Sequence, residues 1–64
     1  MNIVLLAKIE CCLELCTNAD EFKEMVLKVT LMSPARFDEL SVTSYAYVKL
    51  SAGVPAKQIL QELF

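Results

Sequence analysis

The chain predicts an all-α fold, a compact bundle of three helices plus a short C-terminal helix, assembled as a dimer. Three observations carry that expectation. Apolar residues make up 56% of the 64 positions, beside a single Gly and two Pro, which favours a packed core over disorder. Apolar positions recur at helical spacing along most of the chain, with capping and stop residues between the runs. The opening stretch, residues 3–16, is almost continuously apolar, broken by Lys8, Glu10 and Glu14.

The spacing predicts helices over 3–16, 19–32, 34–51 and 55–63. Wound at about 100° per residue, Val4, Leu5, Leu6, Ile9, Cys11, Cys12, Leu13, Leu15 and Cys16 cover roughly two thirds of the first helix, against the ~100° stripe of an ordinary surface helix. A helix of that kind must be covered on more than one side. A lone chain of this size buries only about 60% of its unfolded surface, so the surplus is assigned to a two-fold homodimer. A short strand at 3–6 competes, but Ala7, Lys8, Glu10, Leu13, Glu14 and Leu15 are good helix formers.

Asn18 followed by Glu21 three residues on reads as a capping box for the second helix, with Asp20 and Glu21 at its positive end. Phe22, Met25, Val26 and Val29 then share one face, and Glu24 and Lys28 form an i,i+4 pair. Leu27 and Leu31 fall off that stripe and make a second apolar face. Ser33 as N-cap with Pro34 at the first helical position stops one helix and opens the next. Phe37, Leu40, Ser44, Tyr47 and Val48 lie on one side of this third helix, Val42, Ala46 and Leu50 on another. Residues 41–48 have poor helix propensity and fair strand propensity. The alternative is therefore an α+β domain, with a helix at 34–40 and short strands near 27–31 and 42–50. Gly53 sits where a helix ends in the left-handed conformation. Ile59, Leu60 and Leu63 give the last helix its apolar side, and Phe64 reads as a docking plug.

The formal charge of −2 leaves no electrostatic footprint for phosphates, because Lys8, Lys23, Lys28, Arg36, Lys49 and Lys57 are scattered. The apolar run 3–7 is far short of the ~20 residues of a membrane span, and no export signal is recognisable. A cytoplasmic protein without a membrane partner is expected. Cys11, Cys12 and Cys16 are odd in number, lie on one helix and have no His to join them, which speaks against a disulfide framework or a metal site and for inert, buried thiols. With no His base, no Gly-rich phosphate loop and no nucleophile elbow, no catalysis and no cofactor are expected.

What remains is a small non-enzymatic interaction protein, a regulator or inhibitor acting on a protein partner and self-associating as a homodimer. Its candidate anchors are Leu27, Leu31, Tyr45, Tyr47 and Phe64, since buried aromatic and large aliphatic residues dominate such contacts. The alternative is a DNA-binding transcriptional regulator. The run V-K-L-S-A-G-V-P-A-K-Q-I-L-Q-E-L resembles a helix-turn-helix, with Val48, Ala52, Gly53, Val54 and Ile59 at the positions that motif keeps apolar, small or glycine. That resemblance implies Lys49, Lys57, Gln58 and Gln61 as nucleic-acid contacts. The same run is similar to the A-G-V-P segment near the active site of tyrosine recombinases. Val42 and Thr43 stand where that family has Arg and His, so its chemistry does not carry over.

Overall fold

A computed structural model describes residues 3–64, and every regular element among them is helical: α1 (Ile3–Leu15), α2 (Ala19–Thr30), α3 (Pro34–Glu39), α4 (Ser41–Ser51) and α5 (Ala56–Leu63). The all-α expectation holds. The strands considered near 27–31 and 42–50 are absent among the described residues. The helix count differs, because the stretch assigned to one helix over 34–51 is two.

The break is at Leu40, whose ψ of 122° is extended. Thr43 explains how the kink is tolerated. Its hydroxyl, fully buried, donates to the Phe37 carbonyl with the Leu40 carbonyl 3.0 Å away, while Ser44 Oγ donates to the Asp38 carbonyl at 2.8 Å. Side chains of α4 thus satisfy the carbonyls that the end of α3 leaves without helical partners. The same hydroxyl residues that weakened the helical reading of 41–48 act as a corner brace.

Other boundaries follow the caps. Asn18 Oδ1 accepts from the Glu21 backbone N–H at 2.8 Å, and the Glu21 carboxylate accepts from Thr17 Oγ1 at 2.5 Å. Thr30 ends α2 early. Its hydroxyl donates to the Val26 carbonyl and accepts from the Met32 N–H, and Leu31 turns into the left-handed region at φ 60°. Ser33 Oγ accepts from the Arg36 N–H at 3.2 Å and Pro34 opens α3. After α4, Gly53 adopts φ 89°, with its N–H bonded to Leu50 O and that of Val54 to Lys49 O, the paired bonds of a Schellman stop.

α1 packs on α2 and α5, and α4 lies against α2, α3 and α5. Ile9, Leu13, Phe22, Val26, Phe37, Ala46 and Ile59 meet in the core, so all five helices contribute. Phe22 and Phe37 pack edge to face at 5.8 Å between ring centres, and Tyr47 stands against Phe37 at 6.2 Å.

The corner at Thr43 is testable. Thr43→Val keeps the shape but leaves the Phe37 carbonyl buried without a donor, which costs about 1–3 kcal/mol. Urea denaturation is expected to show the midpoint falling accordingly; an unchanged midpoint contradicts the brace.

Candidate functional site

Winding α1 puts Ile9, Cys12 and Leu13 into the core and turns a second apolar side away from it. On that outer side Val4 is 60% exposed and Leu15 71% exposed. α2 runs alongside with Met25 half-buried and Val29 exposed. Between the two helices lies an open groove of about 370 Å³. Its α1 wall is formed by Val4, Ala7, Lys8, Cys11, Cys12 and Leu15, and its α2 wall by Met25 and Val29. Lys8 is the one charged side chain among these lining residues.

The three thiols occupy three environments on one helix. Cys11 is exposed in the groove, Cys12 is buried at its floor, and Cys16 is half-buried with Sγ donating to the Leu13 carbonyl at 3.0 Å. Burial raises the thiol pKa of Cys12, helped by the neighbouring Cys11, and burial likewise raises that of Cys16. The expectation of buried thiols therefore fits Cys12 and fails for Cys11. Cys11 and Cys12 differ by one step of about 100°, enough to send one outward and the other inward.

The residues picked out from sequence lie elsewhere. Leu27 is half-buried and packs on the core. Leu31 is 88% exposed at the end of α2. Tyr47 is held by Phe37 and donates its hydroxyl to Asp20 at 3.0 Å. Tyr45 is exposed and donates to the Glu62 carboxylate at 2.5 Å, with the Lys49 ammonium 5.3 Å from its ring centre. Phe64 is exposed, its N–H bonded to Leu60 O. The structure brings none of these five into the α1–α2 groove. The one signal in the sequence is that Val4, Lys8, Cys11 and Leu15 are spaced as one helix face, which does not say whether that face is covered or left open.

α4 and α5 are consecutive helices joined by a turn at Gly53, and Ile59 of α5 is fully buried. Lys57, Gln58 and Gln61 are on α5, Lys57 and Gln58 exposed there with Gln61, and Lys49 is half-buried on α4. Two positions depart from the motif. Val48, expected to be covered, is 63% exposed, and Glu62 sits among the outward residues of α5. Comparison with family models, with curated proteins and with solved structures found no match. Among the described residues, no helix is long and apolar enough to cross a membrane.

Two measurements check this picture. Ellman's reagent is expected to titrate Cys11 rapidly in the native protein, Cys16 slowly, and Cys12 only as the chain unfolds; three equally fast thiols contradict the placement. The second concerns Tyr45 and Glu62. Their hydrogen bond holds the Glu62 carboxyl below its ordinary pKa and the Tyr45 hydroxyl above its own. Any stability the carboxylate contributes is present above the unfolded-state pKa and lost as pH falls through the lower folded value. In Tyr45→Phe, NMR titration should show the Glu62 carboxyl moving up toward its ordinary range, with a shallower acid limb of the stability curve. An unmoved Glu62 titration would rule the bond out.

Proposed function

We propose that this chain is a non-enzymatic helical interaction protein, a regulator or inhibitor that acts by docking a protein surface against the groove between α1 and α2. The observation that carries the reading is the exposure of Val4, Leu15 and Val29 along one apolar channel. Scattered single apolar residues on a surface need no explanation, whereas a contiguous apolar channel with a polar edge is the form of a binding surface. A second copy is among its partners, and the cell interior is its proposed location.

DNA binding is the weaker reading. Phosphate contacts supply much of the affinity of DNA readers through several Lys and Arg side chains. α5 carries one cation, Lys57, and shares its surface with Glu62.

The test is photo-crosslinking from Cys11 carrying a benzophenone maleimide, in extract of the source cells. Discrete protein adducts are expected, and Leu15→Lys or Val29→Lys should reduce them at least ten-fold while circular dichroism is unchanged. Adduct yields indifferent to both substitutions overturn the reading. Duplex binding that falls steeply with salt and is lost in Lys57→Ala would support the DNA reader in its place.

A further inference from the structure

We infer that the corner at Leu40 is a two-state hinge, from which α3 swings out to continue α4 as one straight helix over residues 34–51. The inference goes beyond the docking reading and does not depend on the α1–α2 groove.

The hydrogen bonds at the corner carry the argument. In a continuous helix each N–H donates to the carbonyl four residues back. Ser41 would then donate to the Phe37 carbonyl, Val42 to that of Asp38 and Thr43 to that of Glu39. The extended ψ of 122° at Leu40 interrupts this series, and backbone pairing resumes with Ser44 N–H on the Leu40 carbonyl at 3.0 Å. Hydroxyls take the place of two of the amides. Thr43 Oγ1 donates to the Phe37 carbonyl, and Ser44 Oγ donates to that of Asp38 at 2.8 Å. These are the acceptors that the Ser41 and Val42 amides claim in a straight helix. Both carbonyls are therefore satisfied in either arrangement, and neither state bears the cost of leaving them unpaired.

Two opposed contributions set the balance. The straight form gains the amide bonds of Ser41, Val42 and Thr43. The cornered form buries Phe37 against Phe22 and Tyr47 and holds Lys23 at 3.3 Å from Asp38. Little else fixes the bend. No Gly or Pro lies between Ala35 and Ser51, although sharp kinks usually rely on one. Leu40 stands at the N-cap of α4 without a side-chain bond, where Ser, Thr, Asp or Asn would anchor a helix start.

Length makes the two states different in shape. A straight helix over 34–51 measures about 27 Å, against 25 Å for the longest dimension of the whole molecule. In line with α4, α3 leaves the body and carries Phe37 off Phe22 and Tyr47. The hinge thus gates an aromatic edge of the core that the cornered molecule hides.

Ser41→Pro separates the two states. Ser41 is the first residue of α4 and exposed, a position that favours proline. Proline also holds the residue before it extended, as Leu40 already is. Inside a straight helix the same ring removes a backbone bond and clashes with the preceding turn. Carbon-13 relaxation dispersion on the whole chain reads the exchange. Residues 37–44 are expected to exchange with a minor state whose Leu40 Cα shift is helical. Ser44→Ala should raise that population about three- to ten-fold, the weight of one hydrogen bond. Ser41→Pro should abolish the exchange in both backgrounds with circular dichroism unchanged. A minor state without a helical Leu40 shift overturns the hinge, as does exchange that persists in Ser41→Pro. Absence of exchange in both wild type and Ser44→Ala overturns it too, and so does loss of the fold in Ser41→Pro, which the corner should accommodate.

Discussion

The structure depends on a mismatch between α1 and the rest of the chain. α1 has apolar side chains on two sides, and the other four helices suffice to cover one. The total surface is not unusual: a chain of 7.2 kDa folds to about 4,100 Å² by the general scaling of area with mass, close to the 4086 Å² observed. The fold exposes about the area usual for a chain of this mass. Among the large apolar side chains that remain outside are Val4 and Leu15 of α1. Ile9 and Leu13 are fully buried, each stabilising the fold by about 1.5–3 kcal/mol relative to an exposed side chain. Leu15, two positions beyond Leu13, adds little of this.

Much of this was legible from the residues. The caps at Asn18 and Ser33, the proline at the head of α3, the left-handed Gly53 and the surplus on α1 all follow from local rules, and each stands where those rules place it. The corner at Leu40 was legible as weakness: hydroxyl and β-branched residues over 41–48 lowered the helical reading without saying what replaced it. The resolution needed tertiary information, because Thr43 and Ser44 bond to carbonyls six residues back in the preceding helix. A strand needed a neighbouring strand to pair with, and α2 remains helical through Thr30. The location of the groove was not legible. Which side of α1 faces α2 and α5 depends on the packing of Phe22, Phe37 and Ile59, and none of those residues belongs to α1.

The polar surface is organised around holding short helices together. Lys23 reaches Asp38 at 3.3 Å and lies over the Phe37 and Tyr47 rings at 5.2 and 5.8 Å, tying α2 to α3 and α4. Tyr47 returns the tie by donating to Asp20. Arg36 pairs with Glu39 at 3.7 Å within α3. These exposed pairs are each worth less than about 1 kcal/mol, but they orient a six-residue helix that is too short to persist alone.

That use of charge bears on which surface is functional. Lys23, Arg36 and Lys49 are engaged with carboxylates or aromatic rings, so the cations that composition offers to a nucleic acid are partly committed within the molecule. Releasing Lys49 from the Tyr45 ring, or displacing Glu62 from its hydrogen bond, would offset part of the attraction between that side and a phosphate. Apart from Lys8, the side chains lining the α1–α2 groove are uncharged and mostly apolar, so covering them releases water at about 25 cal/mol per Å² of apolar area. Lys8 can lie along the channel with its methylenes covered and its ammonium at the rim. The docking proposed for this face would therefore draw on the side of α1 that the fold leaves exposed at Val4 and Leu15.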